Sequence, residues 1–469
     1  MRGHDAQAAP GSFTGGGFRS VSWFASCIAG SLLAASACGG RSNLGVSTLD
    51  ESTSAGMAGA GGTLAAAGRL NAGGAGQAGA GGMNQGGAGQ AGAGRAGAGA
   101  AGDTTVRLLV ATAISAGTDG TCAVITDGSV WCWGANEQGQ LGDGTMKDSY
   151  VPVRVLGISD AVAVTTGGTW HSGVQGASRN TYGCAVLRDG TVHCWGVLGA
   201  VVNTAGINTS SVPVPVPGVT GAVAIAGGDE HVCALLEGGT VECWGDNAQG
   251  ELGNGPTPSC AGCASEPEPV TVSTLSGVTD LAGKGSLSTC GVLADGSVHC
   301  WGALSIGPMA QSPTVSAWPF PILGVVASRG GLDVGYFHAC AVLRDDGSVQ
   351  CWGKNSSGEL GALTVGSDAG PVTVPNVRGA IAVAAGLSFS CALLGNGSVQ
   401  CWGQNSFGQL ANGTLSNSDT RVPVTGLTDA VAVSAGYNHA CAITSKGSVR
   451  CWGSIGGNYQ SIPTTIAGF

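Results

Sequence analysis

Residues 122–142 read Cys-Ala-Val-Ile-Thr-Asp-Gly-Ser-Val-Trp-Cys-Trp-Gly-Ala-Asn-Glu-Gln-Gly-Gln-Leu-Gly, and the centre of this stretch recurs along the chain. Its Cys-Trp-Gly motif occurs seven times, at spacings of 62, 49, 57, 51, 50 and 50 residues. The copies begin at Cys132, Cys194, Cys243, Cys300, Cys351, Cys401 and Cys451. A second cysteine precedes each copy, at Cys122, Cys184, Cys233, Cys290, Cys340, Cys391 and Cys441. A repeat of this length indicates a fold built from one small unit used many times.

The segment from Cys122 to Cys132 is predicted to form a β-hairpin. Its centre, Thr126-Asp-Gly128, matches a three-residue loop closed by a glycine in the left-handed conformation. Counting outward from that loop, Val124 faces Val130 and Cys122 faces Cys132. Because hydrogen-bonded and non-hydrogen-bonded pairs alternate, the cysteines fall on a close, non-hydrogen-bonded pair, where a disulfide fits.

The fifth copy tests this register. Its loop, Arg344-Asp-Asp-Gly347, is one residue longer, and the spacing from Cys340 to Cys351 grows by one residue as well. We therefore predict seven hairpin disulfides. Metal binding is the alternative, suggested by His193 and His299 beside two of the cysteines, but the set offers no consistent fourth ligand.

Two further strands complete the repeating unit. One alternates small and β-branched residues, as in Ala161-Val-Ala-Val164 and Ala430-Val-Ala-Val433, which is typical of tightly packed inner strands. The other contains proline, as in Val151-Pro-Val-Arg-Val155 and Val422-Pro-Val424, and proline marks a sheet edge. Four short strands in each of seven units predict an all-β, seven-bladed β-propeller.

The two ends of the repeat region complement each other. The region enters on a small-residue strand at 106–114 and leaves on a proline strand at 462–466. We therefore expect the N-terminal and C-terminal segments to supply one blade between them and to close the ring by pairing. The propeller is predicted to span residues 103–469.

The residues after Cys-Trp-Gly carry a second signature, Asn-x-x-Gly-Gln-Leu-Gly, with good copies in 136–142, 247–253, 355–361 and 405–410. With it, residues 103–469 resemble the repeat of the regulator-of-chromosome-condensation family, which implies a seven-bladed propeller. The units after Trp195, Trp301 and Trp452 lack this tail. The nuclear member of that family exchanges nucleotide on a small GTPase and docks on chromatin, but no residue here maps onto such a site.

The N-terminal region predicts export. The mostly apolar stretch 21–37 has the length of a signal-peptide core and is short for a membrane span. It ends in Leu33-Ala-Ala-Ser-Ala-Cys-Gly-Gly40, which resembles a lipobox, so residues 1–38 are predicted to be a signal peptide and Cys38 to receive a lipid. Ordinary cleavage after Ala37 is the alternative, and it leaves a secreted protein without an anchor.

Composition supports the same location. Residues 39–102 are rich in Gly and Ala and are predicted to be a disordered linker. Eighteen cysteines suit an oxidising compartment. We predict an exported protein, either an outer-membrane or cell-surface lipoprotein that touches the membrane only through its anchor, or a secreted one.

The composition and the motif search exclude several function classes. A net charge of −10 with 18 Lys and Arg leaves no basic stripe for nucleic acid. The sequence has no nucleophile elbow, phosphate-binding glycine loop or zinc-protease motif, so we predict no catalytic residue, cofactor or metal. The recurrent His231, His338 and His439 are predicted to pack around the ring, and the seven Cys-Trp-Gly tryptophans are predicted to fill the space between blades.

Departures from the repeat are the candidate binding loops, because loops on a rigid scaffold vary freely. The insertion at 169–183 combines aromatic and basic groups typical of recognition surfaces, and 303–321 is a further variable stretch that carries two aromatic residues. Their candidate residues are Trp170, His171, Arg179, Tyr182, Trp318 and Phe320. A third insertion, 256–269, contains Cys260 and Cys263, which are predicted to form a local disulfide, with a redox-active pair as the alternative.

These features predict a monomeric module that binds an unidentified protein partner through loops on one rim of the propeller. Two alternatives stay open at this point. One is an enzyme with its site at the central opening of the propeller, and the other is a purely structural component of the cell envelope.

Overall fold

The computed structural model describes residues 109–171, 178–199, 208–255, 265–284, 287–303, 315–362 and 368–469. The predicted signal peptide, Cys38, the predicted linker and the pair Cys260 and Cys263 lie outside these ranges. The described residues form β-strands without a helix. Accordingly, these ranges contain no helical segment with the length and apolar character needed to cross a membrane.

The strands form four-stranded blades in chain order. Blades one to three contain β1 (Ala111–Ala116), β2 (Gly120–Ile125), β3 (Val130–Gly134), β4 (Ser149–Arg154), β5 (Ala161–His171), β6 (Ser178–Leu187), β7 (Val192–Val197), β8 (Thr209–Pro215), β9 (Ala222–Gly227), β10 (His231–Leu236), β11 (Val241–Asp246) and β12 (Ser265–Thr271). Blades four and five contain β13 (Val278–Ala282), β14 (Ser288–Leu293), β15 (Ser297–Ala303), β16 (Val315–Val334), β17 (His338–Leu343), β18 (Val349–Lys354) and β19 (Asp368–Thr373). Blades six and seven contain β20 (Ala380–Ala385), β21 (Phe389–Leu394), β22 (Val399–Gly403), β23 (Ser418–Pro423), β24 (Ala430–Ala435), β25 (His439–Thr444), β26 (Val449–Ile455) and β27 (Asn458–Thr465).

The long strand β16 belongs to two blades. Its first part pairs with β15, where Ile322 faces Val298, and its second part pairs with β17, where Leu332 faces Ala341. The seven-stranded sheet from β13 to β19 is therefore two consecutive blades joined by one continuous strand. With the five separate four-stranded sheets, the predicted count of seven blades is confirmed.

The hairpin register predicted from the loop is confirmed. Cys122 faces Cys132 and Val124 faces Val130, and Gly128 has a φ of 81°. The longer fifth loop likewise preserves the facing of Cys340 and Cys351. The Cα atoms of the facing cysteines lie 4.0–4.1 Å apart, as expected for a non-hydrogen-bonded pair, and the structure joins all seven pairs as disulfides.

The two ends of the chain do not share a blade, so that prediction is wrong. β1 pairs with the hairpin that directly follows it, and β24 to β27 form a complete sheet from the C-terminal residues alone. The short connection from β1 to β2 favours this local antiparallel pairing. The ends meet as neighbouring blades instead, since the Leu109 amide donates to the Gly468 carbonyl at 2.8 Å.

Tryptophan side chains fill the space between blades, as predicted. Each buried core cluster combines one blade with the Cys-Trp-Gly tryptophan of the next. Trp195 of blade two thus packs on Val124 and Val130 of blade one, and Trp133 of blade one packs on blade seven. Some tryptophans also bond across the junction, as Trp402 Nε1 does to the Glu359 carbonyl at 2.8 Å.

The three recurrent histidines are buried packing residues, which confirms their prediction. Each ring Nε2 lies within hydrogen-bond distance of a hydroxyl in the following blade. The pairs are His231 with Thr289 at 2.8 Å, His338 with Ser390 at 2.7 Å, and His439 with Thr121 at 2.8 Å. Burial lowers their pKa values, to about 4, 3 and 4 respectively, so the rings are neutral at pH 7.

We expect His338 to make the propeller acid-sensitive. Its folded-state pKa of about 3 lies below the unfolded value of about 6.5, so the unfolded chain binds more protons between those pH values. The free energy of unfolding that depends on the neutral His338 ring is fully present above pH 6.5 and is lost as the pH falls toward 3. At pH 4.5 the loss from this one ring is about 3 kcal/mol.

The variant His338→Phe tests this expectation, because Phe389 occupies the equivalent position in blade six and is fully buried there. Urea unfolding at pH 7.5 and pH 4.5 measures the stability change of each protein. The variant should lose about 3 kcal/mol less than the wild type between the two pH values. Equal losses in both proteins would show that His338 does not carry this sensitivity.

Candidate functional site

Each blade has two different ends. Because neighbouring strands are antiparallel, the connections between first and second strands leave from the same end as those between third and fourth strands. We call this end the loop face. The hairpin turns and the links to the next blade leave from the opposite end, which we call the turn face. Backbone bonds such as Tyr437 N to Gly117 O, at 3.1 Å, align the loop faces of neighbouring blades.

All three predicted variable stretches start and end on the loop face. The insertion after Thr169 lies between β5 and β6, whose register continues out to the pair His171 and Ser178. The stretch containing Cys260 and Cys263 lies between β11 and β12, and the third lies between β15 and β16. The propeller therefore presents its departures from the repeat on one side.

The structure separates the candidate binding residues of those stretches. The backbones of Trp170 and Arg179 pair on β5 and β6, while their side chains and that of His171 lie outside the described part of the chain. Trp318 is 44% exposed beside the blade-three loop. Phe320 is half-buried and packs against the blade-four core, which leaves it a smaller role at the surface.

Tyr182 is not a surface residue, so its assignment to a binding loop is wrong. It stands two residues before Cys184, at the position that His231 occupies in the next blade. The side chain is 2% exposed, and its hydroxyl donates toward the carbonyls of Gly228 and His231 at 2.9 and 2.7 Å. Tyr182 therefore joins blade two to blade three.

Side chains cross the central opening near the loop face. The Tyr336 hydroxyl of blade five lies 2.7 Å from Thr118 Oγ1 of blade one, and Lys284 Nζ of blade four donates to Ser434 Oγ of blade seven at 2.9 Å. Neither pair of blades is adjacent in the ring. Tyr336 and Lys284 are at most 9% exposed, so these contacts are buried inside the propeller.

A cleft of about 410 Å³ lies on the loop face between blade seven and blade one. Trp133 lines it from β3 of blade one, Ala135 lines it from the residue after that strand ends, and Tyr437 lines it from the first connection of blade seven. Tyr150, at the start of β4, and the turn at Gly456 line its outer side. A methyl group added to Gly456 would come within 2.6 Å of the Tyr150 ring, so only a glycine fits this approach.

The cleft exists because blade seven lacks the repeat tail. In blade one, residues 135–148 join the third and fourth strands, and their Gln140 carbonyl accepts from Trp195 Nε1 at 2.9 Å. In blade seven only Gly456 and Gly457 separate β26 from β27, both with positive φ, in a two-residue hairpin turn. The tail that accepts a hydrogen bond from the next tryptophan in blades one, five and six is therefore missing beside Trp133.

The cleft is acidic. Its lining includes the carboxylates of Asp119, Glu137 and Asp148, and none of the described residues that line it is Lys or Arg. His439 also lines the cleft, but burial lowers its pKa to about 4, so it adds no positive charge at pH 7. Burial, with Asp119 and Asp229 nearby, raises the pKa of Tyr437.

Blade three carries a second group of acidic residues on the loop face. Burial, together with the charges of Glu230 and Glu251, raises the pKa of Asp229 to about 8. Burial likewise raises the pKa of Glu251 to about 7. Asp229, Glu230 and Glu251 thus place three carboxyl groups near one another on this blade. The turn face is more balanced, with Arg378 paired to Asp346 and Arg188 beside Asp189 in one hairpin turn.

No metal site accompanies these carboxyl groups in the part of the chain that the structure describes, where no three His, Cys, Asp or Glu side chains are grouped to hold an ion. The cleft was not predicted from the sequence, although the sequence shows that the tail is missing after Trp452. The missing tail leaves a cleft only because of the blade that lies next to blade seven in the ring, and the sequence pattern did not identify that neighbour.

Two family models described as the regulator of chromosome condensation (RCC1) repeat match the chain. One matches residues 127–174, 346–393 and 396–443, and the other matches 111–140, 222–251, 332–359, 380–409 and 430–460. The stretches 175–221 and 252–331 are outside these matches, and they contain Trp195 and Trp301, two of the tryptophans after which the tail is missing.

Curated relatives share part of the chain. The human protein named probable E3 ubiquitin-protein ligase HERC6 is 32% identical over 290 residues, which are 58% of this chain and 21% of the relative. The Arabidopsis thaliana RCC1 domain-containing protein RUG3, mitochondrial, is 26% identical over 289 residues, which are 57% of this chain and 59% of the relative. The chain thus spans less than two thirds of either relative.

Solved structures share the fold. Prp20p from Saccharomyces cerevisiae superposes with a TM-score of 0.57 at 20% identity, covering 76% of this chain and 87% of Prp20p. Human WBSCR16 superposes with a TM-score of 0.61 at 18% identity, covering 72% of this chain and 94% of WBSCR16. At these identities the likeness establishes the architecture.

Proposed function

Because this chain belongs to the regulator of chromosome condensation (RCC1) repeat family, we propose that it is a protein-binding module, and not an enzyme, that engages its partner through the loop face. The observation that carries the proposal is that the described flanks of every variable stretch lie on that one face. A rigid scaffold that concentrates variation on one side is typical of recognition proteins. The yeast relative Prp20p binds Gsp1p and histones, which supports protein binding as the kind of function.

We further propose that the module is exported, monomeric and tethered by a lipid on Cys38 through the linker 39–102. The signal-like segment 1–38 and the seven hairpin cysteine pairs support export, since disulfides persist in oxidising compartments. A flexible tether of this composition leaves the module free to turn toward its partner. The partner is then a protein at the cell surface or outside it.

Site-specific photo-crosslinking tests which face binds. A photoreactive amino acid replaces Met146 on the loop face or Ile381 on the turn face of the full-length chain in its native host. The two positions are matched, because the native side chains are 50% and 52% exposed. Ile381 lies on the turn face, because the amide of the preceding Ala380 donates to the Gly347 carbonyl of a hairpin turn at 2.9 Å. We expect Met146 to give one discrete protein adduct and Ile381 to give none.

Leu415, on the loop face of blade six, is a third position and is 53% exposed. Because it lies on a different blade from Met146, it shows whether the partner contacts one blade or several. Adducts from both loop-face positions support a partner that covers the face. An adduct from Ile381 alone, or no adduct from any of the three positions, would contradict the proposal.

A further inference from the structure

We propose that the cleft between blade seven and blade one receives an arginine side chain of the protein partner. This inference rests on the proposed function, because it names the chemistry that the loop face recognises. It concerns a site that the repeat itself does not require, since the cleft arises where the repeat tail is absent. The occupant is a cationic side chain on an exposed segment of another protein.

Charge is the first support. Glu137, Asp148 and Asp119 contribute three carboxylates to one cleft, without a Lys or Arg among the described lining residues. Glu137 is exposed and Asp148 stands at the mouth beside the exposed Tyr150, so an incoming cation meets them directly. The chain as a whole is acidic, with a net charge of −10, which favours encounter with a basic partner surface.

The aromatic lining is the second support. Tyr150 and Tyr437 both line the cleft, and Tyr150 is 49% exposed. A cation over an aromatic ring is attracted by the electrons of the ring, and arginine uses this contact more often than lysine. Arginine also presents a planar fork of donors that matches carboxylates. Carboxylates and tyrosine rings together therefore favour arginine.

The size and shape of the cleft agree with an inserted side chain. A volume of about 410 Å³ falls inside the roughly 300–1,000 Å³ range of ligand sites. The walls are well supported, because Tyr437 packs edge-on against Tyr336 with ring centroids 4.9 Å apart, and Trp133 packs edge-on against Phe469 at 5.6 Å. Such anchored walls reduce the ordering cost of binding.

The repeat supplies substitutions that remove charge without disturbing the loop. Asp148 Oδ1 accepts from the Asn136 amide at 2.8 Å, and in blade six Asn417 Oδ1 accepts from the Asn405 amide at the same distance. Asp148→Asn therefore keeps this bond. Combined with Glu137→Gln, it removes two charges from the cleft.

A matched control removes two charges from the turn face. Asp127 Oδ1 and Asp189 Oδ1 each accept from an amide two residues later, at 2.9 and 3.0 Å, and Asn396 does the same in blade six at 3.0 Å. The double variant Asp127→Asn with Asp189→Asn therefore changes the net charge equally and leaves the turns intact.

The test measures binding of a fluorescent tetra-arginine peptide to the full-length chain by anisotropy at physiological salt. We expect the wild type and the turn-face variant to bind the tetra-arginine peptide equally, and the cleft variant to bind it about fivefold more weakly. A tetra-citrulline peptide, which carries no charge on its side chains, should bind to none of the three proteins. Equal weakening in both double variants, or none in the cleft variant, would overturn the cleft assignment.

Failure of this inference is distinguishable from failure of the proposed function. The crosslinking experiment at Met146 and Ile381 uses the partner itself and the wild-type cleft, so its outcome does not depend on the peptide assay. If the loop-face adduct persists while the cleft variant binds the arginine peptide normally, partner binding stands and the arginine site falls. If the loop-face adduct forms equally in the cleft variant, the arginine site falls as well.

Discussion

Reduction of the seven hairpin disulfides is expected to unfold the propeller at room temperature. Each bridge closes a loop with a sequence separation of 10 or 11 residues. In the chain-entropy account, such a closure stabilises the folded state by about 2–3 kcal/mol, because it restricts the unfolded chain. Seven such contributions together exceed the roughly 5–15 kcal/mol net stability of an ordinary domain.

The measurement compares oxidised and reduced full-length protein by tryptophan fluorescence in increasing urea. The hairpin cysteines are at most 2% exposed, so a reductant reaches them only in denaturant. The protein is therefore reduced in denaturant and returned to native buffer before the two forms are compared. The oxidised protein should unfold cooperatively and the reduced protein should show no native baseline. Mass analysis of the oxidised, alkylated protein should also find none of the fourteen hairpin thiols labelled.

A single-bridge variant provides the graded control. Cys391→Ala with Cys401→Ala removes one bridge from blade six and leaves no unpaired thiol there. We expect it to fold with a free energy of unfolding about 2–3 kcal/mol lower than that of the wild type. If the fully reduced chain instead unfolds at the same urea concentration as the oxidised one, the bridges do not hold the fold together.

Local features of this fold were predictable because the residues that fix them lie close in sequence. Gly128 sets the loop, the loop sets the facing of Cys122 and Cys132, and the extra residue before Gly347 tested the rule within the same chain. The tryptophans were predictable for the same reason, since their strand position fixes the side on which they project.

Features that depend on closing the ring were not predictable. The contact of Tyr336 with Thr118 joins residues 218 positions apart and follows from which blades face each other across the opening. Predicting the cleft requires knowing that blade seven lies next to blade one, where Gly456 approaches the Tyr150 ring. Tyr182 was misassigned because its insertion obscured its equivalence to His231, a buried position at a blade junction.

The tryptophan of Cys-Trp-Gly is expected to give the largest single-residue loss of stability. Trp402 is fully buried within the core cluster of blade five, although it belongs to blade six. Its Nε1 also donates to the Glu359 carbonyl at 2.8 Å. Trp402→Ala removes both the packing and the bond at one junction, so the free energy of unfolding should fall by about 3–5 kcal/mol.

Two further variants separate the causes of that loss in urea unfolding. Trp402→Phe keeps much of the ring packing and loses the hydrogen bond, so its loss should be smaller than that of Trp402→Ala. Trp318→Ala removes a tryptophan that is 44% exposed, and its effect should stay within about 1 kcal/mol. If Trp402→Ala and Trp318→Ala lose equal stability, the junctions between blades are not held by the repeated tryptophan. A large loss at Trp402 alone would mean that each blade depends on its neighbour for a complete core, because the ring at 402 fills the cluster around Val374 and Val377 of the preceding blade.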